Sequence, residues 1–319
     1  MVQDFNHRSA MVAEVVDLFR PVPPGTVVDA TAGAGGHSDA LLRALPQLSV
    51  VAVDRDPDAV AAATDRLARH GRAVRVVQAR FDALADVAAG QKLVGVLFDL
   101  GVSSPQIDRP ERGFSYRRPG PLDMRMGPDA ERSAADVING YPEQQLAAMF
   151  REAGESRFAR RIAAAIVRAR PITDTAGLAE VVAAAVPAPA RRRGHPAGRV
   201  FQAVRIEVNG ELDALRGALE AVPGVIAPRG RVVVISYHSG EDRLVKARFL
   251  EWSTGGCTCP PGLPCVCGAV PQVRLLTRGA RKAGPEEIAD NPRVSAARLR
   301  AVEWLEMEQG PDQLEAGRS

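Results

Sequence analysis

The chain has 319 residues, 46% of them hydrophobic and 25% charged. That is the balance of a soluble globular protein with room for one large domain or two of ordinary size. No basic segment leads into an apolar run at the N-terminus and no stretch approaches the roughly 20 apolar residues of a membrane span, so a cytoplasmic protein is expected. The net charge of +3 says little, but residues 151–205 hold eleven arginines against four acidic residues, so a polyanion would meet that segment first.

In chain order, Met11, Val12, Val15, Val16 and Phe19 fall on one helical stripe, and the Pro23-Pro24-Gly25 turn then delivers the chain into a strand ending at Val27-Val28-Asp29. The turn Ala30-Thr31-Ala32-Gly33-Ala34-Gly35-Gly36-His37 follows, with Ser38 expected to cap a helix that turns Leu41, Leu42 and Leu45 inward. A second strand, Val50-Val51-Ala52-Val53, ends in Asp54. Asp56-Pro57 starts a helix that carries Val60, Ala63 and Leu67 inward, with an acceptor at the cap and proline in the first turn. Val74–Val77 reads as a third strand, and Val94–Leu100 as a fourth, apolar enough to be buried on both faces. The βα rhythm then stops. Residues 108–210 contain no strand pattern and read as loops followed by helices near 143–153, 155–169 and 175–186, and strand pattern resumes only at Arg231–Ser236. A Rossmann-like α/β domain with a mostly parallel twisted sheet is therefore expected from 1–107 and 211–319, interrupted by an inserted all-helical domain over 108–210.

Ligands in such sheets bind beyond the carboxyl ends of the strands, where Asp29, Asp54 and Asp99 fall. Glycines let the backbone approach a ligand closely, and a carboxylate about twenty residues later suits the two hydroxyls of a ribose. A dinucleotide fingerprint needs Gly-x-Gly-x-x-Gly, but Ser38 stands where the third glycine belongs. Asp29 also disfavours a phosphate nearby and suits a cationic ligand. These features favour S-adenosylmethionine over a nicotinamide dinucleotide. The fourth strand runs into Asp99-Leu100-Gly101-Val102-Ser103-Ser104-Pro105-Gln106. Methylating an exocyclic amine, whose lone pair is delocalised into its ring, requires acceptors that orient the NH2. Asp99, Ser103, Ser104 and the backbone before Pro105 are candidates for that role, and a plain turn is the alternative.

The Asp29–Ser38 and Asp99–Asp108 segments, Glu111–Ser115, Gly120–Met126, Arg170–Thr173, His195-Pro196-Ala197, Phe201–Ile206, Ile235–Ser239 and Asn291-Pro292-Arg293, in order along almost the whole chain, carry a close resemblance to the RsmH (MraW) family. It implies a class I, S-adenosylmethionine-dependent methyltransferase acting on N4 of one cytidine in the decoding centre of 16S ribosomal RNA, with the small ribosomal subunit as partner. It further implies that Gly35, Gly36, His37, Asp54, Phe81, Asp99 and Gln106 hold the cofactor. The family is often described as dimeric, which leaves a homodimer open. The chain departs from the family pattern at Ala30, Gly198, Tyr237 and Gly240, the last two in a segment that usually reads Phe-His-Ser-Leu.

Arg157, Arg161 and Arg168 share one helical face by spacing and are candidates for RNA phosphate, as are Arg191, Arg192, Arg193 and His195 in a basic loop, and His238 just past the fifth strand. Arginine is enriched throughout, since only Lys92, Lys246 and Lys282 are lysine, so a solvated basic face remains an alternative. All four cysteines, Cys257, Cys259, Cys265 and Cys267, lie in one segment as two Cys-x-Cys pairs. Zinc, an ordinary reduced loop and a redox role all stay open, because structural zinc more often uses Cys-x-x-Cys. Two other functions stay open as well: a non-catalytic ribosomal-RNA assembly factor on a methyltransferase fold, and a nicotinamide-dependent dehydrogenase.

Overall fold

The computed structural model describes residues 9–101, 104–155, 157–191, 195–260 and 266–306, the side chains of Ser104, Pro105 and Arg191 excepted. Among the sequence candidates, Ser103, Arg192, Arg193 and Cys265 lie outside the described residues.

Seven strands form one sheet: β1 (Gly25–Asp29), β2 (Leu48–Asp54), β3 (Val74–Gln78), β4 (Leu93–Asp99), β5 (Ile226–Ser236), β6 (Val273–Leu275) and β7 (Arg298–Trp304). Their order is β3-β2-β1-β4-β5-β7-β6, with β7 antiparallel to both neighbours and the first five strands parallel. The reversed β7 is stapled to β5 by an ion pair between directly opposed residues, Arg231 and Glu303, at 2.6 Å. Every residue of β4 but the last is buried, as its unbroken apolar run requires for a strand covered on both faces.

Because successive side chains alternate, the sheet feeds two cores. Val27, Val50, Ala52, Leu97 and Val233 pack on one face with helices Val12–Phe19, Gly36–Ala44 and Pro57–Leu67. Val28, Val51, Val53, Phe98 and Val234 pack on the other with helices Leu84–Ala88, Glu211–Val225 and Ser239–Thr254. The segment between β4 and β5 holds a third core running from Leu122 to Val208, built largely by helices Ala134–Gly140, Glu143–Glu152, Ala159–Ala169, Thr175–Ala185 and Ala197–Asn209.

Three local expectations are corrected. The helix after the glycine turn begins at Gly36 with left-handed Gly35 (φ 77°) at its cap, so Ser38 lies inside it. The basic helix begins only at Ala159, so Arg157 is not on its face, although Arg161 and Arg168 are, both exposed. Met11, Val15, Leu18 and Phe19 are the buried residues of the first helix, with Val12 and Val16 only half-buried. The cap at Asp56 holds as expected, its carboxylate accepting from the Asp58 amide at 3.1 Å.

Candidate active site

Strand register decides which acidic residue reaches the ligand. Asp29 pairs with Ala52 and with Leu97, so Asp54 and Asp99 each stand two residues further along their strands, about 7 Å beyond Asp29. Asp54 and Asp99 consequently line a cavity of about 360 Å³ at the carboxyl end of the sheet, a volume in the small-ligand range. Asp29 does not line it. It is wholly buried beneath the glycine turn, accepting from the Ser38 hydroxyl at 2.7 Å, and its other oxygen has no hydrogen-bond partner. Burial raises its pKa above the ordinary carboxylate value. A direct contact between Asp29 and a cationic ligand, as the sequence suggested, therefore gives way to an indirect role as a support of the turn.

The glycine turn is tied to the second strand through Asp54. The Gly33 amide donates to Asp54 Oδ2 at 2.8 Å and the Asp56 amide to Oδ1 at 2.9 Å. Gly33 needs its left-handed φ of 53° for this turn. Burial pushes the Asp54 pKa up to about 6, against the lowering effect of its two amide donors. Gly36 lines the cavity, whereas Gly35 faces backwards onto Leu67 and Ala63.

Asp99 sits at the centre of a half-buried network. Its Oδ1 accepts from the Tyr237 hydroxyl at 2.9 Å, its Oδ2 lies 3.3 Å from His37 Nε2, and its own amide donates to Thr31 Oγ1 at 2.6 Å. On the other side of the ring, His37 Nδ1 is buried without a hydrogen-bond partner. Burial works against a charged His37, but the Asp99 carboxylate and the nearby Asp29 outweigh it and raise the imidazole pKa. The Tyr237 hydroxyl is likewise pushed up by burial and by Asp99.

Phe81 forms part of the wall and meets Phe98 edge-on at 6.0 Å. Gln106 reaches the cavity from the short helix Ser104–Asp108 after β4 and donates to Asp56 Oδ2 at 3.1 Å, the oxygen that also receives Arg112 at 2.8 Å. Arg112, Arg109, which meets Asp58 at 2.7 Å, and the Arg55–Asp129 pair link the segment after β4 to the strand ends. Arg205 and Glu211, paired at 2.8 and 2.9 Å, enter the cavity from that same segment.

The structure brings Gly36, His37, Asp54, Phe81, Asp99 and Gln106 together around one cavity. None of the described RNA candidates lines it. Arg157 lies over the Phe158 ring at 5.0 Å. His195 is exposed, with its ring stacked on Tyr116 at 4.8 Å. His238 is no surface contact: its side chain is 8% exposed and caps helix Ser239–Thr254, Nδ1 accepting from the Gly240 and Glu241 amides. Its Nε2 lies 3.0 Å from Glu241 Oε1, too oblique to form a hydrogen bond. Glu211, His238 and Glu241 converge closely enough to hold a cation, but Arg205 already occupies both Glu211 oxygens. Sequence reasoning missed Tyr237, Asp56, Arg205 and Glu211 as site residues. Tyr237 alone carried a usable signal, as the residue directly after the strand beside β4.

The model of the MraW methylase family matches residues 4–305. The chain is 52% identical over 314 residues to the ribosomal RNA small subunit methyltransferase H of Anaeromyxobacter sp. (strain K), covering 96% of this chain and all of the relative. It is 49% identical to the protein of that name from Mycolicibacterium gilvum (strain PYR-GCK), over 95% of this chain and 84% of the relative. Among solved structures it is similar to a putative rRNA-methylase from Clostridium thermocellum, at 12% identity and a TM-score of 0.44, covering 94% of this chain and all of that one.

Proposed function

The chain belongs to the MraW methylase family, and from that premise we propose that it transfers a methyl group from S-adenosylmethionine to N4 of a cytidine in the decoding centre of 16S ribosomal RNA. Its fold is that of a class I methyltransferase, a mostly parallel sheet with one reversed strand. The observation that carries the reading is the convergence of Asp54, Asp99 and the Gly36 turn on one cavity at the strand ends. Family membership leaves the nicotinamide alternative without support.

The residues fit the cofactor. The first amides of the helix that starts at Gly36 have no intrahelical acceptor and suit the methionyl carboxylate. Asp54 keeps lone pairs for the ribose hydroxyls beyond those its two backbone donors use, and Phe81 offers an aromatic wall for the adenine. His37 Nδ1 is a buried polar atom without a partner, open to a polar group of the cofactor. Of the carboxylates around the cavity, Asp56, Asp58 and Glu211 are already paired with arginines, which leaves Asp54 and Asp99 to face the ligand.

S-adenosylmethionine supplies an electrophilic methyl on sulfur. Asp99 would accept a hydrogen bond from the target amine and hold its lone pair toward that methyl. The support for this role is that Tyr237 and His37 fix both of its oxygens, so little reorganisation is left for the reaction itself. The proton of the methylated nitrogen can leave after transfer, so no strong base is required. The helical segment 108–210, with Arg161 and Arg168 exposed, would supply RNA recognition.

Nucleoside mass spectrometry tests the proposal. After incubation with methyl-labelled cofactor, N4-methylcytidine is expected in ribosomal RNA from small subunits that lack the modification. Label found only on the cofactor, or on another nucleoside, would refute it and favour an assembly factor or a different target.

A further inference from the structure

Helix Ser239–Thr254 ends at Gly255, whose φ of 62° turns the chain out of the helix, and the Gly256 amide donates to Glu251 O at 2.9 Å. The chain returns where the Gln272 amide donates to Trp252 O at 2.8 Å, just before β6. Between these points the described residues form no helix or strand and contribute nothing to the three hydrophobic cores. Val266 is 88% exposed and Val270 63%. Apolar packing therefore does not order the described part of this loop.

Its cysteines converge all the same. The sulfur atoms of Cys257, Cys259 and Cys267 lie within 4.8 Å of one another, and those of Cys257 and Cys267 are 3.5 Å apart, too far for a disulfide bond. Sulfurs bound to a tetrahedral zinc at about 2.3 Å stand about 3.8 Å apart, close to the 3.5 Å between Cys257 and Cys267 and inside the 4.8 Å limit of the set. A loop without a core gains order from a cross-link, and three soft donors aimed at one point are the means available here.

We propose that Cys257, Cys259 and Cys267 bind one zinc ion as thiolates, each thiol giving up its proton, and that the ion closes this loop as a structural knuckle. None of the three lines the cofactor cavity, so the ion serves the loop and not the methyl transfer.

The full-length protein, purified without chelator under reducing conditions, should carry about one zinc per chain by elemental analysis. The combined Cys257→Ser, Cys259→Ser and Cys267→Ser variant should carry none and bind S-adenosylmethionine within about twofold of the parent. Replacement by cobalt(II) should give thiolate charge-transfer and tetrahedral visible bands, whose intensity counts the sulfur ligands. Should the variant not fold, a mercurial added to the parent must still release the metal to a chromogenic chelator. Zinc at background level together with no cobalt–thiolate band overturns the proposal, as does an unreduced intact mass two daltons low, which marks a disulfide.

Discussion

Lowering the pH from 7 to 5 should stabilise the ligand-free protein, relative to its Asp54→Asn variant, by about 1 kcal/mol. Folding lifts the Asp54 pKa from 3.8 to about 6, chiefly by burial. The folded state therefore holds this proton more tightly than the unfolded one. Its contribution is fully present below about pH 4 and is lost as the pH rises through 6. At pH 5 the folded carboxyl is largely protonated while its unfolded counterpart is ionised, a gap of about one pKa unit, or about 1.4 kcal/mol, slightly reduced by the residual at pH 7. His37, also raised, is common to both proteins, and Asp29 enters the difference only through its repulsion of the Asp54 carboxylate. Urea unfolding of both proteins at several pH values measures it. The same titration should weaken S-adenosylmethionine about tenfold between pH 7 and 5 in the parent, since only the ionised carboxylate accepts from both ribose hydroxyls, and should leave the variant's weaker binding nearly flat. Parallel stability curves for the two proteins would refute this account of Asp54.

Asp99→Asn keeps the shape but cannot accept from both Tyr237 and His37. Its methyl transfer should fall by about a hundredfold with the fold intact by circular dichroism, and undiminished kcat would remove Asp99 from the chemistry. Arg112→Ala strips Asp56, 3% exposed, of its ion partner and should cost about 2 kcal/mol in urea unfolding, where a loss below about 0.5 kcal/mol would show that pair to be idle. Replacing Arg161 and Arg168 with alanine should lower the salt dependence of RNA binding by about one per lost phosphate contact, and an unchanged slope would place the RNA elsewhere.

Much of the candidate site was legible because it is written in local chemistry. A buried strand that runs into glycines, and strands ending in Asp54 and Asp99, are features of short windows, and alternation with helices implies a parallel sheet. Helix starts were less legible. Gly35 in its left-handed conformation began one helix before Ser38, and the basic helix began after Arg157, because a cap depends on backbone torsions that several nearby residues can satisfy.

By itself, the sequence determined the order of the first five strands, the break in rhythm after Asp99, and the residue types at the strand ends, since side-chain period and turn propensity act between near neighbours, while β6 and the reversed β7 came only with the structure. Only the tertiary structure decided how those ends line up. Pairing register sets Asp29 two residues below Asp54 and Asp99, and so makes one acid a buried support and the other two cavity walls. It also brought Tyr237 across 138 positions to Asp99, and Arg112 across 56 to Asp56. Such partners are chosen by the packing of whole elements on a twisted sheet, which no short window of sequence contains.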